Sequence, residues 1–522
     1  MADRFNHPSI VAWSATNEGE YGDWERANLY PYVKSVDPTR PVIFSAEYTP
    51  DLADQHNFFG NWNGTQADFE RAAADLPRFY TDRRPVGNTE FGQFQNNAQR
   101  YGAGKLPAWD SPELQHDMGL LLQEEVESLR RLRFDLILAF NYPVGKARQT
   151  GNPEDVAECY YALRHAYAPL GVSLDFPRRH VQAGSRIELP VWTMSDAESA
   201  GGDADVQVVL LDKHPGFHWD GNTAGMNVLA QSAFAVHLDP WQARQQSVNL
   251  TAPAEPGTYL LVAILRPRNK QDPAISFRPL QVYAPLPKLN APKIVGVLET
   301  DGKLTAWLKG RGHRVVIPYA DQKPDVILVG EGMLVDSRGQ CWGYNMAQRV
   351  NAGSRLVLLE QQAWNPNTFD GHILQGLTTV ALQTTVEALH PDPEYEASFG
   401  PDGDYRRFNG CGGLGMRVRL ELSSVALQPT AVSVAPGQIQ PKRESVGASD
   451  SPWNPCILAY TRGVNNPDWA LVHRKCGQGE IFACQIPLAS RLNSEDVQNF
   501  DPVAERILAH MIEDGLDASE KH

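Results

Sequence analysis

The sequence predicts three successive domains: a parallel α/β domain, an antiparallel β-sandwich and an open, doubly wound α/β domain. Residues 1–168 alternate short apolar runs with helical or loop stretches, which is typical of crossover units in a parallel sheet. Residues 172–287 carry short strand-like runs between turn residues without helical periodicity, which favours an immunoglobulin-like sandwich. Residues 291–520 return to alternating apolar runs and helices. At 522 residues, the chain is also too long for one ordinary hydrophobic core.

Five short apolar runs are the predicted strands of the first domain. They are Ile10–Trp13, Pro41–Ala46, Gln55–Phe59, Pro85–Thr89 and Phe134–Phe140. Between the last two, Glu113–Arg131 spaces its leucines as one face of a helix. Five strands are too few for a closed eight-stranded barrel, which usually takes about 250 residues. The sequence therefore predicts part of a larger fold.

The other two domains are predicted from runs of the same kind. The sandwich strands are Arg186–Trp192, Val206–Leu211, Ser247–Leu250, Gly257–Leu265 and Phe277–Tyr283. In the third domain the strands are Lys293–Leu298, Val315–Pro318, Asp325–Val329, Arg355–Leu359, Trp469–His473 and Glu480–Cys484, with helices at Gly302–Gly310, Cys341–Val350 and Val503–Glu513. Sequence rich in Gly, Pro and Ser between residues 381 and 455 predicts long loops or an insertion.

Composition excludes several classes of protein. The net charge of −15 and a pI near 5.4 argue against nucleic-acid binding, which requires a basic surface. No apolar run is long enough to cross a bilayer, and the first residues lack the apolar core of a signal peptide. The six cysteines show no Cys-x-x-Cys spacing, so buried free thiols are expected rather than a zinc ribbon or a disulfide framework. We expect no metal and no cofactor.

Two glutamates lie where predicted parallel strands end. Asn17-Glu18 comes shortly after the first run, and Glu90 directly follows the run Pro85–Thr89. The carboxyl ends of parallel strands meet at one edge, where ligands bind. Glycoside hydrolysis needs a carboxylic acid and a carboxylate on either side of the scissile bond. Glu18 and Glu90 are therefore a candidate pair, Glu47 is a lesser candidate, and a solvated loop remains the alternative for Asn17-Glu18.

Four stretches of the first domain carry a resemblance to a known family. His7-Pro8-Ser9-Ile10-Val11-Ala12-Trp13-Ser14, followed by Asn17-Glu18, is similar to the acid/base strand of glycoside hydrolase family 2, the family of β-galactosidases, β-glucuronidases and β-mannosidases. Thr89-Glu90-Phe91-Gly92 resembles its nucleophile strand. The stretches 37–42 and 57–62 resemble its fifth and sixth barrel strands. The resemblance covers roughly residues 4–145 and implies the C-terminal half of a (β/α)8 TIM barrel, entered at strand four.

The resemblance also implies a reaction and roles for individual residues. Glu18 would be the general acid/base and Glu90 the nucleophile of a retaining β-glycosidase, with their carboxyl groups about 5–5.5 Å apart. Asn17 would bind the 2-hydroxyl of a terminal sugar, with a β-galactoside as the expected substrate. Further substrate contacts are expected at His56, Asn57, Trp62, Phe140 and Asn141.

Several of these contacts have alternative readings. His56 and Asn57 are equally suited to structural hydrogen bonds, and Trp62 could stack on a sugar or anchor a loop. Phe140 stands where the family commonly carries Trp. Phe58 or Phe59 replaces a tyrosine that in the family often donates to the nucleophile. These departures affect the substrate and the efficiency of turnover more than the class of reaction.

The later domains are similar to parts of large glycosidases. The sandwich resembles their accessory β-domains. The third domain resembles the flavodoxin-like or glutamine-amidotransferase-like domain that follows the barrel in some β-galactosidases, where it mediates oligomer contacts. Arg355–Leu359 is not followed by a Cys nucleophile, and the Gly-rich turn around Cys411 lacks a flanking strand and helix. A non-catalytic role, with a homo-oligomer contact through this domain, is therefore expected.

By this resemblance, the sequence begins at the fourth strand of the family's barrel, and the first three strands are not part of it. We expect either a longer native chain, truncated here at its N-terminus, or a barrel completed by another subunit. The alternative to an enzyme is a non-catalytic carbohydrate-binding or assembly protein, which retains Glu18 and Glu90 from a glycosidase fold without using them in catalysis.

Overall fold

The computed structural model divides the chain into two compact units, one within residues 1–284 and one within the later residues. The residues that it describes are 9–17, 23–45, 49–56, 84–91, 112–139, 157–176, 179–269, 272–318, 323–334, 344–361, 377–381, 386–391, 418–422, 453–461, 468–496 and 499–514. Within these ranges, no helix combines the length and the apolar character that a bilayer span requires.

The first unit opens with five short strands of a TIM half-barrel. They are β1 (Trp13–Thr16), β2 (Val42–Phe44), β3 (Ala53–His56), β4 (Val86–Phe91) and β5 (Leu136–Ala139), with helices α1 (Asp23–Val36) and α2 (Pro112–Arg131) between them. β1 and β2 pair in parallel, and β3, β4 and β5 form a second parallel sheet in that order. Parallel pairing of consecutive strands is the arrangement that a (β/α)8 barrel requires.

Three strand boundaries differ from prediction. The first strand begins at Trp13, three residues later than expected, and Val11 is 71% exposed rather than buried. The strand begins there because Trp13 is the first residue paired with β2, and its indole N–H donates to Asp37 Oδ2 over 2.8 Å. β3 starts earlier than predicted, and β4 continues to Phe91, so Glu90 lies inside the strand instead of after it. The predicted helix Glu113–Arg131 is confirmed as α2.

A two-sheet β-structure completes the first unit. After helix α3 (Glu158–Ala166) come β6 (Leu170–Leu174), β7 (His180–Gln182), β8 (Arg186–Ser195), β9 (Gly202–Leu211), β10 (Val228–Leu238), β11 (Ala243–Thr251), β12 (Gly257–Pro267) and β13 (Ala274–Tyr283). One sheet has the order β10-β9-β12-β13-β7 and the other the order β11-β8-β6. Both sheets contribute buried apolar side chains to one core, among them Val172, Leu189, Val206 and Leu261.

All five predicted strand runs of this segment are confirmed, and three further strands were not predicted. β10 was missed because its side chains alternate between exposed and half-buried on an edge strand, with alanines and polar residues in most positions. β6 and β7 are too short to give a clear pattern. The immunoglobulin-like assignment stays a prediction.

A buried ion network fastens helix α2 of the half-barrel to the sandwich. Arg278 on β13 and Glu127 on α2 are both fully buried, and Nη2 of the arginine donates to Oε2 of the glutamate over 2.7 Å. The Ser276 hydroxyl donates to the same oxygen over 2.7 Å. Burial raises the pKa of Glu127, while the charge of Arg278 and the hydroxyl bond oppose this. Removing Glu127 would take away the nearest counter-charge of the buried Arg278, whose Nε also lies 3.8 Å from Glu124 Oε1.

The second unit is built on a ten-stranded sheet. Its elements are β14 (Ile294–Leu298), α4 (Lys303–Arg311), β15 (Arg314–Val316), β16 (Val326–Val329), α5 (Tyr344–Asn351), β17 (Arg355–Leu359), β18 (Leu377–Ala381), β19 (Val386–Pro391), β20 (Val418–Leu422), β21 (Asn454–Thr461), β22 (Asp468–Cys476), β23 (Gly479–Cys484) and α6 (Pro502–Ala509). The parallel part has the order β15-β14-β16-β17-β23, and β22, β20 and β18 extend it with antiparallel pairing.

Part of the third-domain prediction was wrong. The stretch between residues 381 and 455, predicted as long loops or an insertion, contains β19 and β20, so the long-loop alternative is wrong for these strands, which pair within the antiparallel extension of the sheet. Cys411 lies outside the described residues. The four cysteines within them, Cys159, Cys456, Cys476 and Cys484, form no disulfide. The similarity of this unit to flavodoxin-like or amidotransferase-like domains stays a prediction.

Candidate active site

Glu90 and His56 face each other near the carboxyl ends of two neighbouring parallel strands. The pairing of β3 with β4 runs regularly to Gln55 opposite Asn88 and then shifts, so that His56 lies opposite Glu90. β4 shifts in the same place against β5, between Asn88 and Phe91. An extra residue of this kind bends a strand and re-aims its side chains. Here it places the carboxylate of Glu90 beside the imidazole of His56.

The contact between these side chains is direct. His56 Nδ1 lies 3.3 Å from Glu90 Oε2, and the two side chains are only 5% and 14% exposed. A hydrogen bond from Nδ1 requires the proton of the ring to sit on that nitrogen. On Glu90, the oxygen in this contact is Oε2.

Asp54 and Thr89 hold His56 from its other side. The Thr89 hydroxyl donates to Asp54 Oδ2 over 2.6 Å, and the Thr89 backbone N–H donates to Asp54 Oδ1 over 3.1 Å. His56 Nε2 lies 3.3 Å from Thr89 Oγ1 and 3.7 Å from Asp54 Oδ2, whose side chain is fully buried. Both nitrogens of the ring therefore face polar atoms, which fixes the ring's orientation towards Glu90.

The residues flanking Glu90 fix its backbone. Phe91 is fully buried in the apolar cluster between the half-barrel strands and α2, so it anchors the end of β4. Asn88 is also buried, and its side-chain oxygen accepts the backbone N–H of Glu90 over 3.3 Å. Together these contacts hold the backbone from which the Glu90 side chain extends.

Asn17 lies at the corresponding end of β1. The pairing of β1 with β2 also shifts just before it, between Ser14 and Thr16. The Ser45 hydroxyl donates to the carbonyl of Thr16 over 2.9 Å, which ties the end of β1 to the end of β2. The side chain of Asn17 is exposed, as a residue in contact with substrate requires.

Asp37 anchors this pair of strands at their opposite ends. Its carboxylate accepts hydrogen bonds from the Trp13 indole over 2.8 Å, from the Thr39 hydroxyl over 2.5 Å and from the Arg40 guanidinium over 2.6 Å. These bonds, those from Thr39 and Trp13 above all, hold the pKa of Asp37 well below its usual range. The motif at residues 37–42 thus has a structural role that positions β1 and β2.

Three of the predicted site residues fall within the described part of the chain, namely Asn17, His56 and Glu90. The structure brings His56 and Glu90 together. The other predicted residues, Glu18, Asn57, Trp62, Phe140 and Asn141, lie outside the described residues, as does Glu47. The separation of the Glu18 and Glu90 carboxyl groups therefore stays a prediction.

Sequence reasoning missed Asp54 and Thr89. Alternation along a strand places Asp54 on the same face as His56, and this signal could have found it. Thr89 could not have been found in this way, because its role depends on the irregular pairing of β4. Among the described residues, no group of three or more His, Cys, Asp or Glu side chains is arranged to hold a metal ion.

Comparison with known proteins shows which families and structures this chain is similar to. Residues 1–129 match the family described as "Glycosyl hydrolases family 2, TIM barrel domain". The match covers about a quarter of the chain. A stretch of 44 residues is 50% identical to a β-galactosidase of Aeromonas hydrophila subsp. hydrophila. The match spans 8% of this chain and 4% of the relative's length.

Two solved structures also show local likeness. The CARDB domain of a Pyrococcus furiosus protein, determined in complex with di-metal ions, is 15% identical and covers 22% of this chain and 94% of its own, with a TM-score of 0.17. The sporulation control protein Spo0M of Bacillus subtilis is 12% identical and covers 23% of this chain and 51% of its own, also with a TM-score of 0.17. Scores this low support no argument about the fold.

Proposed function

We propose that the chain is the catalytic part of a retaining β-glycosidase in which Glu90 is the nucleophile and Glu18 the general acid/base. The observation that carries the proposal is the fixed contact between His56 and Glu90 near the ends of β3 and β4. The family match over residues 1–129 supports the same reaction class. Buried donors around a carboxylate are what a nucleophile needs in order to stay ionised and oriented.

The reaction would proceed by two displacements. Glu90 Oε1 attacks the anomeric carbon while Glu18 gives its proton to the departing glycosidic oxygen, which forms a glycosyl ester on Glu90 and frees the aglycone. Glu18, now ionised, takes a proton from water as that water attacks the anomeric carbon. The ester bond breaks, the sugar leaves with its original configuration, and both glutamates return to their starting states.

His56 would supply the hydrogen bond that a tyrosine often provides to the nucleophile in this family. Phe58 and Phe59 lack a hydroxyl group, so neither can serve as that donor. The Nδ1 contact to Glu90 Oε2 can take its place. In this role His56 is a positioning residue, and it acts through Glu90 rather than on the sugar.

We propose a terminal β-galactoside as the substrate. The support is the 44-residue similarity to a protein named as a β-galactosidase. Asn17 would bind the 2-hydroxyl, where a hydrogen bond strengthens as positive charge develops on the sugar ring. The sandwich would act as an accessory domain, and the second unit as a surface for contacts between copies of the chain.

The stereochemistry of the reaction tests this proposal. An aryl β-galactoside is incubated with the protein, and the first sugar released is followed by proton NMR before it mutarotates. We expect the β-anomer, no product from Glu90→Gln, and β-galactosyl azide when Glu18→Ala is given azide. Release of the α-anomer would refute the double displacement. Absence of product from folded wild-type protein would instead favour the non-catalytic carbohydrate-binding alternative.

A further inference from the structure

The first unit contains a second candidate binding site, which is separate from the residues around Glu90. An open cavity of about 660 Å³ lies between helix α3, the loop that follows β9 and the start of β13. Its volume falls within the usual range of small-molecule sites, about 300–1,000 Å³. Its walls include the aromatic side chains Tyr160, Tyr161, Tyr167 and Trp219. None of these residues has a part in the proposed reaction.

Two of the aromatic side chains are held in place from behind. Tyr161 and Trp219 both pack against the buried cluster around Phe217 and Phe277, so one side of each rests on the core. The Trp219 indole N–H donates to the carbonyl of Asn222 over 3.0 Å, which fixes the ring in its loop. Rigid aromatic surfaces bind ligands at a low cost in conformational entropy.

The loop and the helix that carry these rings are also tied to each other. His165 Nε2 lies 2.9 Å from the carbonyl of Phe217, which links α3 to the loop after β9. The ring of His218 meets the ring of Tyr161 edge to face, with centroids 5.2 Å apart. The cavity is therefore already formed without a ligand, as small-molecule sites usually are.

The charges at the cavity define the chemistry of its ligand. Among the described residues that line it, the charged ones are one cation, Arg164, and two carboxylates, Asp220 and Asp272. Arg164 and Asp272 form an ion pair in which both side chains are largely exposed. The carboxylates outnumber the single cation, which disfavours phosphates and acidic polymers, because these are bound by clusters of Arg and Lys. A neutral ligand with many hydroxyl groups can use both members of the ion pair and lay its apolar faces on the rings.

We propose that this cavity binds a neutral oligosaccharide of hexopyranose units, at a site that is not catalytic. The C–H faces of the sugar rings would pack on Trp219 and Tyr161, and the hydroxyl groups would bond to Arg164 and Asp272. The proposal does not depend on the reaction assigned to Glu90.

Binding is tested on the full chain by native electrophoresis in gels that contain β-1,4-galactan, a neutral β-glucan or an acidic polysaccharide. Isothermal titration with β-1,4-galactotetraose then measures the affinity. We expect a neutral polysaccharide to retard the protein, and Trp219→Ala and Tyr161→Ala each to weaken binding by about tenfold or more. Trp219→Phe, which keeps an aromatic face, should retain more of the affinity than Trp219→Ala.

Trp241→Ala is the matched control, because Trp241 is 57% exposed and is not among the residues that line the cavity. It should bind like the wild type, and thermal melting establishes that each variant is folded. Hydrolysis of an aryl β-galactoside should be unchanged in Trp219→Ala, which separates this site from the one at Glu90. Equal retardation of wild type and Trp219→Ala, no retardation by a neutral polysaccharide, or preference for the acidic polysaccharide would overturn the proposal.

Discussion

His56→Ala removes the imidazole that contacts Glu90 Oε2 and, as we propose, donates to it. The Nδ1–Oε2 distance is 3.3 Å and both side chains are largely buried, so water does not readily replace the lost bond. A hydrogen bond to a charged group contributes about 1.5–3 kcal/mol, which corresponds to a loss of about 10- to 150-fold in kcat/KM. We expect His56→Gln, whose amide N–H can still reach Glu90, to recover part of that loss.

The assay is the steady-state hydrolysis of an aryl β-galactoside, measured together with the thermal unfolding of each variant. His237→Ala is the matched control, because His237 also contacts a carboxylate, Asp203 Oδ1 over 2.8 Å, but lies exposed on the sandwich. A positioning role predicts a lower kcat for His56→Ala with little change in the binding of a neutral sugar inhibitor. If folded His56→Ala retains wild-type kcat/KM within about twofold, the role assigned to His56 is wrong.

Three further predictions concern stability. Glu127→Gln should lower the free energy of unfolding by up to about 3–5 kcal/mol, because it removes the nearest counter-charge of the fully buried Arg278 and leaves only the more distant Glu124. Chemical denaturation checks this. Exposed Asp205→Asn serves as the control, since it breaks an ion pair with Arg268 in solvent. Burial, and secondarily the charge of His116, lowers the pKa of His214 from 6.5 to about 3. At a pH between these two values, His214 therefore binds a proton in the unfolded chain but not in the folded chain. The free energy of unfolding should therefore fall as the pH drops below 6.5, by about 2 kcal/mol at pH 5, and His214→Gln should not show this loss. The same pH dependence of the melting temperature in wild type and in His214→Gln would contradict the prediction. Asp37→Ala should lower the free energy of unfolding by about 2–4 kcal/mol, because it removes the acceptor of the hydrogen bonds from Trp13, Thr39 and Arg40. The control Asp272→Ala, at an exposed position, should change the melting temperature little.

The spacing of apolar residues and the position of polar residues near strand ends predicted a large part of the secondary structure and part of the candidate site. The helix Glu113–Arg131 was found because its apolar residues repeat at helical spacing over five turns, and the structure has it at Pro112–Arg131. Glu90 and His56 were identified from their positions near strand ends, and the two side chains do meet. The helix and the residues near strand ends were predictable because they depend on the local sequence pattern and on the common direction of parallel strands, and both can be inferred from the sequence.

What escaped prediction depends on pairing between distant segments. The first strand begins three residues after the start of the apolar run, because its start is set by pairing with β2 and by the bond from Trp13 to Asp37. The role of Thr89 follows from the shift in register between β3 and β4, which no local pattern encodes. The ion pair of Glu127 with Arg278 joins residues 151 positions apart, and only the folded arrangement of helix and sandwich reveals it.

The central claim is that Glu90 becomes covalently attached to the sugar during the reaction. A 2-deoxy-2-fluoro-β-galactoside with a good leaving group traps that ester, and peptide mass spectrometry locates it. The account predicts one adduct per chain, on the peptide that contains Glu90, with no adduct in Glu90→Gln. A label on a different carboxylate, or no label on wild-type protein that hydrolyses the aryl β-galactoside, would contradict it.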